Sequence, residues 1–207
     1  MQINEFNQSL NSRKTTMNTL SLADNYKRKF GAVFTPVKWA DKLVEKHFFK
    51  EWLNGATVLD PTAGEGVFLK AFLNIARKQG VELTKERVSR LFGIELNQEY
   101  VNNFYKSIST EFSIEFPRTN FIQGDIFFQE KEIKADLLIG NPPWVNFSDL
   151  EETYKEKIKH LYIHFGLVKD QKDLLLGNAR TDIATLVVAK VLHSNLNKNG
   201  KAIFFLP

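Results

Sequence analysis

Five short apolar runs, each closed by a polar or glycine-rich break, alternate along the chain with longer segments whose apolar residues recur at helical spacing. The runs are ATVLDP (56–61), RLFGIEL (90–96), NFIQGDIF (120–127), ADLLIGN (135–141) and KAIFFLP (201–207). Runs of this length and composition read as strands. Between the first two, GVFLKAFLNIARKQG sets Phe68, Leu69, Phe72, Leu73 and Ala76 on one wide stripe and closes at Gly80, the pattern of a helix with a glycine at its end. QEYVNNFYKSI reads as a second helix, and TDIATLVVAKVLHSNL as a longer one opened by Thr181 or Asp182. Strands separated by such helices predict an α/β fold, a doubly wound, mostly parallel sheet with helices on both faces. In such sheets ligands bind beyond the carboxyl ends of the strands, near the switch point, so the chemistry is sought there.

Composition narrows the setting. The 207 residues are 43% hydrophobic and 25% charged, which suits one globular domain over residues 30–207. There is no cysteine, which excludes disulfides and thiolate metal sites and points to a reducing, cytoplasmic location. No apolar stretch approaches the ~20 residues of a membrane span, so no membrane association is expected. Most of the net charge of +4 sits in residues 1–29, where Arg13, Lys14, Lys27, Arg28 and Lys29 face only Glu5 and Asp24. This segment reads as a flexible basic arm, either solvated or in contact with phosphates.

Four strand ends carry candidate chemistry. The first runs into DPTAGEG, where Asp60, Pro61, Ala63, Gly64 and Gly66 make a turn whose glycines leave backbone exposed to a ligand at a helix start. The single G-x-G with an acid between suits a small carboxylate and amine better than a pyrophosphate; a purely steric turn is the plain alternative. The second strand ends at Glu95, placed to accept from two ribose hydroxyls or to stand on the surface. The third ends at Gly124 and Asp125, an acceptor for an adenine amino group or a turn aspartate. The fourth ends in Asn141-Pro142-Pro143-Trp144: an amide acceptor, a carbonyl held by two fixed φ angles, and a flat aromatic face. Together these suit an amino group on an aromatic ring, and the alternative is a rigid turn beside a core tryptophan.

In this order, GAVFTP, LDPTAGEGVFL, GIEL, GDIF and NPPW resemble the amino-group DNA methyltransferases, in particular the gamma-class N6-adenine enzymes of restriction-modification systems. The resemblance runs from Lys29 to the end of the chain and implies the Rossmann-like class I methyltransferase fold with S-adenosylmethionine as cofactor. It implies that Thr35, with Phe34 and Pro36 shaping its loop, contacts the methionine carboxylate region. Asp60, Pro61, Ala63, Gly64 and Gly66 would surround the methionine end, Glu95 the ribose, and Asp125 with Ile126 the adenine. Asn141 and the Pro142 carbonyl would hold the target amino group, with Trp144 stacked on a flipped-out adenine of double-stranded DNA. The same pocket type serves enzymes that methylate a release-factor glutamine or an RNA base, and a non-catalytic scaffold subunit would keep the fold.

Other features add less. His160 and His164 stand four apart with no third metal ligand in view, so no metal site is expected. Residues 146–180 form a long excursion after the pocket, with a charged amphipathic helix that covers the fold, lids it or faces DNA. The chain stops after the fifth strand, whereas this class adds further strands and a target-recognition domain or specificity subunit. A truncated catalytic piece, inactive alone and with an exposed apolar sheet edge, is therefore expected.

Overall fold

The computed structural model describes residues 35–170 and 182–206. The basic arm and Phe34 lie outside the described residues. Strands β1 (Val58–Asp60), β2 (Leu91–Glu95), β3 (Phe121–Gln123), β4 (Ala135–Gly140) and β5 (Leu196–Phe204) form one sheet in the order β3-β2-β1-β4-β5. Every pairing is parallel, with Asp60 opposite Gly93 and Val58 opposite Leu137. The chain winds outward from β1 to β3, returns to place β4 on the other side of β1, and continues to β5. The switch point therefore falls between β1 and β4, whose carboxyl ends carry Asp60 and Asn141.

Alternation along the central strands builds two cores. Val58, Leu91, Leu137 and Ile139 face one side, where they meet α1 (Val37–His47), α2 (Phe49–Leu53), α3 (Val67–Lys78) and α5 (Gln98–Phe112). Trp52 of α2 is fully buried there, and its indole N–H donates to the Arg87 carbonyl at 3.1 Å from the short α4 (Lys85–Val88). Leu59, Ile94 and Leu138 point the other way onto Val187 and Val191 of α7 (Ile183–Ser194). Helices thus cover both faces, as the alternation predicts. Asp182 is the cap of α7: its Oδ1 accepts from the Thr185 N–H at 2.6 Å.

The structure departs from the sequence pattern in three places. β3 stops at Gln123 because Asp125 turns the chain, its Oδ1 accepting from the Phe127 N–H at 2.9 Å. β5 starts at Leu196, earlier than expected, through a bulge: Leu196 pairs with Ala135 and Lys201 with Leu137, while Asn199 takes a φ of 67°. Helix α5 continues past Ile108 to Phe112, extending the buried stripe Val101, Phe104, Ile108 by one turn.

The described part of the excursion, residues 146–170, packs one side against the fold, and residues 171–180 lie outside the described residues. A 3₁₀ turn (Phe147–Asp149) leads into α6 (Glu152–His164), whose fully buried Ile158 and Tyr162 pack with Phe147, Leu150, Ile183 and Leu186 into a satellite core on α7. Among the described residues no helix is long and apolar enough to cross a membrane.

Candidate active site

A cavity of about 370 Å³ opens at the switch point. It gathers Thr35, Asp60, Ala63, Gly64 and Asn141, five residues named from the sequence, out of three separate motifs. Thr35 precedes α1, and the Asn141 Nδ2 amide donates to its Oγ1 at 3.2 Å across 106 residues of chain. That bond orients the carboxamide, because donating through nitrogen fixes which way the acceptor oxygen points. Pro36 caps α1, its carbonyl taking the Trp39 and Ala40 N–H groups.

Asp60 ends β1 in the cavity wall with a residue exposure of only 1%. Its Oδ1 accepts from the Thr62 N–H at 3.2 Å, and Gly140 on the adjacent strand leaves it room, since a Cβ there would sit 3.2 Å from the same oxygen. Burial pushes the Asp60 carboxyl up to about 8, with the Glu95 charge adding to the effect and the Thr62 bond opposing it. The side chain is therefore largely neutral at pH 7.

The two loop glycines do different work. Gly64 has a φ of +55° and open space where a Cβ would go, the geometry of backbone that receives a ligand. Gly66, at φ +75°, is pressed by the Phe104 ring of α5, which would lie 2.3 Å from an added Cβ. Gly66 is thus a packing residue, where the sequence reading has it exposed to ligand. The loop is anchored below by Glu95, whose Oε2 accepts from the Gly64 N–H at 2.8 Å and whose Oε1 accepts from the Asn97 N–H at 2.7 Å. Burial pushes the Glu95 carboxyl up, and these two bonds pull it back. Each oxygen retains capacity for a second donor such as a hydroxyl.

Glu95, Asp125 and Ile126 do not line the cavity. Ile126 is buried with Leu59, Ile94 and Val187. Asp125 stands under α6, its Oδ2 taking the Tyr154 hydroxyl at 2.7 Å. At the far side of Asn141, Pro142 is buried and Trp144 is 39% exposed, so its ring offers a face to the outside rather than filling a core. His164 meets Phe165 and His193 edge-on, and among the described residues no group of three or more potential metal-ligating side chains occurs.

The cavity also holds residues that sequence reasoning missed: Thr62, Glu65, Lys70, Asn74 and Glu111. Thr62 Oγ1 is buried with no hydrogen-bond partner among the described residues. From Phe68 to Ala76 of α3, only Lys70 and Asn74 are polar. Two polar residues four apart within that apolar stretch were the available signal.

A doubly wound sheet with a glycine loop after β1, a carboxylate ending β2 and an Asn-Pro-Pro-aromatic segment ending β4 defines the class I methyltransferase architecture. The sequence profile of the family N-6 DNA Methylase matches residues 18–176, and the chain belongs to that family. Among curated proteins it is similar to the type II methyltransferase M.AccI of Acinetobacter calcoaceticus, 25% identical over 191 residues, 90% of this chain and 29% of that protein. Among solved structures it resembles the type IIL restriction-modification enzyme MmeI in complex with DNA (TM-score 0.56, 21% identity, 86% of this chain and 30% of that one). A chain described as a class I S-adenosylmethionine-dependent methyltransferase, from Listeria monocytogenes, superposes equally well (TM-score 0.56, 14% identity, 91% and 52%). The two structural likenesses speak to fold. The chain spans under a third of the length of M.AccI and of MmeI.

Proposed function

We propose that the chain is the catalytic part of an S-adenosylmethionine-dependent DNA methyltransferase that modifies the N6 amino group of a flipped-out adenine within a restriction-modification system. The observation that carries this reading is the meeting of Thr35 with Asn141 at the switch point, beside the half-exposed Trp144. Family membership supports it. The residues present suit the cofactor: an open glycine backbone at Gly64, an unpartnered buried hydroxyl on Thr62, and Glu95 with spare acceptor capacity under the loop.

When bound, S-adenosylmethionine supplies a methyl group activated by its sulfonium. The protein's part begins with the acceptor. An exocyclic aromatic amine is a poor nucleophile because its lone pair is delocalised into the ring. Asn141 and the Pro142 carbonyl accept its two N–H bonds, draw the nitrogen toward tetrahedral geometry and stabilise the positive charge that develops on it. Pro142 and Pro143 limit how far that carbonyl can swing, and the bond to Thr35 limits the carboxamide. Trp144 stacks on the base and offsets part of an extrusion cost of a few kcal/mol. The residual proton leaves to water, so no tuned general base is needed. Duplex DNA is the partner under this reading, and a target-recognition domain or specificity subunit supplies the sequence readout.

The test uses the protein with methyl-labelled S-adenosylmethionine and duplex DNA, RNA and protein as acceptors. Label is expected in adenine N6 of DNA; label confined to protein would overturn the reading. Asn141→Ala is expected to lower transfer at least a hundredfold while shifting cofactor affinity by under threefold. Equal loss of both would mean that Asn141 serves the cofactor instead.

A further inference from the structure

We propose that Lys70, supported by Asn74 one helical turn on, is the anion-binding residue of the cavity and holds the carboxylate of the cofactor's methionine tail. The inference rests on the cofactor reading above and deepens it. Both residues line the cavity together with Asp60, Gly64 and Asn141, and their spacing puts them on one face of α3. Among the described residues the Lys70 ammonium makes no hydrogen bond or ion pair, although the residue is half-buried and burial lowers its affinity for the proton. An ammonium in that position loses hydration without a direct partner in return, which a carboxylate ligand would supply.

The charges around it select the kind of anion. Glu65 and Glu111 line the same cavity, and both act on Lys70 at longer range. A doubly charged phosphate would meet two carboxylates there. An α-amino acid tail brings its own ammonium, which those carboxylates attract, while its carboxylate meets Lys70. Glu65 is steadied for this by the Asn103 amide, which donates to its Oε1 at 2.9 Å. Thr62 Oγ1 adds a hydroxyl still in need of a partner.

The test compares wild type, Lys70→Met and Lys70→Arg by calorimetric titration with S-adenosylmethionine and with its decarboxylated form, which keeps the sulfonium and the amine. Lys70→Met is expected to weaken S-adenosylmethionine binding ten- to a hundredfold, as for loss of a charged hydrogen bond, and to change binding of the decarboxylated ligand less than twofold. Lys70→Arg is expected to recover most of the preference. Equal weakening toward both ligands would assign Lys70 to general support of the fold and overturn the proposal. Unchanged S-adenosylmethionine affinity with weakened binding of a short DNA duplex would overturn it in favour of a DNA phosphate. Wild-type protein that binds neither ligand would overturn the cofactor reading and this assignment together, an outcome distinct from tight binding that ignores Lys70.

Discussion

The glycine loop separates two demands that look identical in sequence. Gly64 and Gly66 both take left-handed backbone, yet one faces open space and the other faces a ring. Gly64→Ala therefore meets only the left-handed penalty of about 1 kcal/mol in stability, but places a methyl where ligand backbone contact is expected. Gly66→Ala adds overpacking against Phe104 to that penalty, for a total of about 2–4 kcal/mol. Urea unfolding and cofactor titration on the two variants should therefore split: Gly66→Ala loses stability, and Gly64→Ala loses affinity at nearly unchanged stability. The converse split would exchange the roles. This is also where sequence legibility ended, because DPTAGEG shows that two glycines are present and only the position of Phe104, 38 residues later, shows which one is covered. Lys70 was harder to read for a related reason: a lysine on an amphipathic helix reads as solvated until the fold sets it in the cavity wall with Asp60 and Asn141.

At the scale of elements, α6 links the segment after β4 to the turn after β3. Its Ile158 and Tyr162 seat it on α7, and its Tyr154 reaches the Asp125 carboxylate at the end of β3. The segment that begins with the proposed base-binding residues thus also touches the turn at which the adenine of the cofactor is expected. Ile158→Ala removes a fully buried branched side chain from a small satellite core, at a cost of about 2–4 kcal/mol. Because that core is separate from the one beneath α3 and α5, the loss should appear as faster amide exchange in α6 and around Asp125, with α3 protection unchanged. Uniform loss of protection would show that the satellite core does not open by itself. The sequence reading left α6 open between a lid, a DNA-facing element and a solvated cover. Its charged residues are plain in the sequence, whereas the apolar positions that seat it are few and find their partners in α7, beyond the end of the excursion.

For the whole molecule, the strand order explains both the legible and the illegible parts. Short apolar runs divided by helices were enough to give the parallel class, since that alternation leaves few other ways to bury both sheet faces. The bulge at the start of β5 was not legible, because Asn-Lys-Asn-Gly reads as a turn and becomes part of a strand only through its pairing with β4. The same order packs Asp60 at the centre of the sheet, between β2 and β4 and near Glu95, which is why its carboxyl holds a proton. In the unfolded chain this group titrates near its ordinary value of 3.8, and in the folded chain near about 8. Between those values the native state binds one proton more than the unfolded state. Stability from this group is therefore fully present below the lower value and is lost as pH rises toward the upper one, at a slope of up to about 1.4 kcal/mol per pH unit. Asp60→Asn keeps an amide of the same shape and removes the titration. Glu95, whose carboxyl is also raised, contributes a slope of the same sign in both proteins, so the difference between the two profiles isolates Asp60. Urea unfolding of cofactor-free protein from pH 5 to pH 8 should show wild type losing stability relative to Asp60→Asn, with the gap narrowing or reversing sign toward the alkaline end. Parallel profiles across that range would mean that Asp60 is ionised in the folded chain, and that the cavity wall at the switch point carries a negative charge.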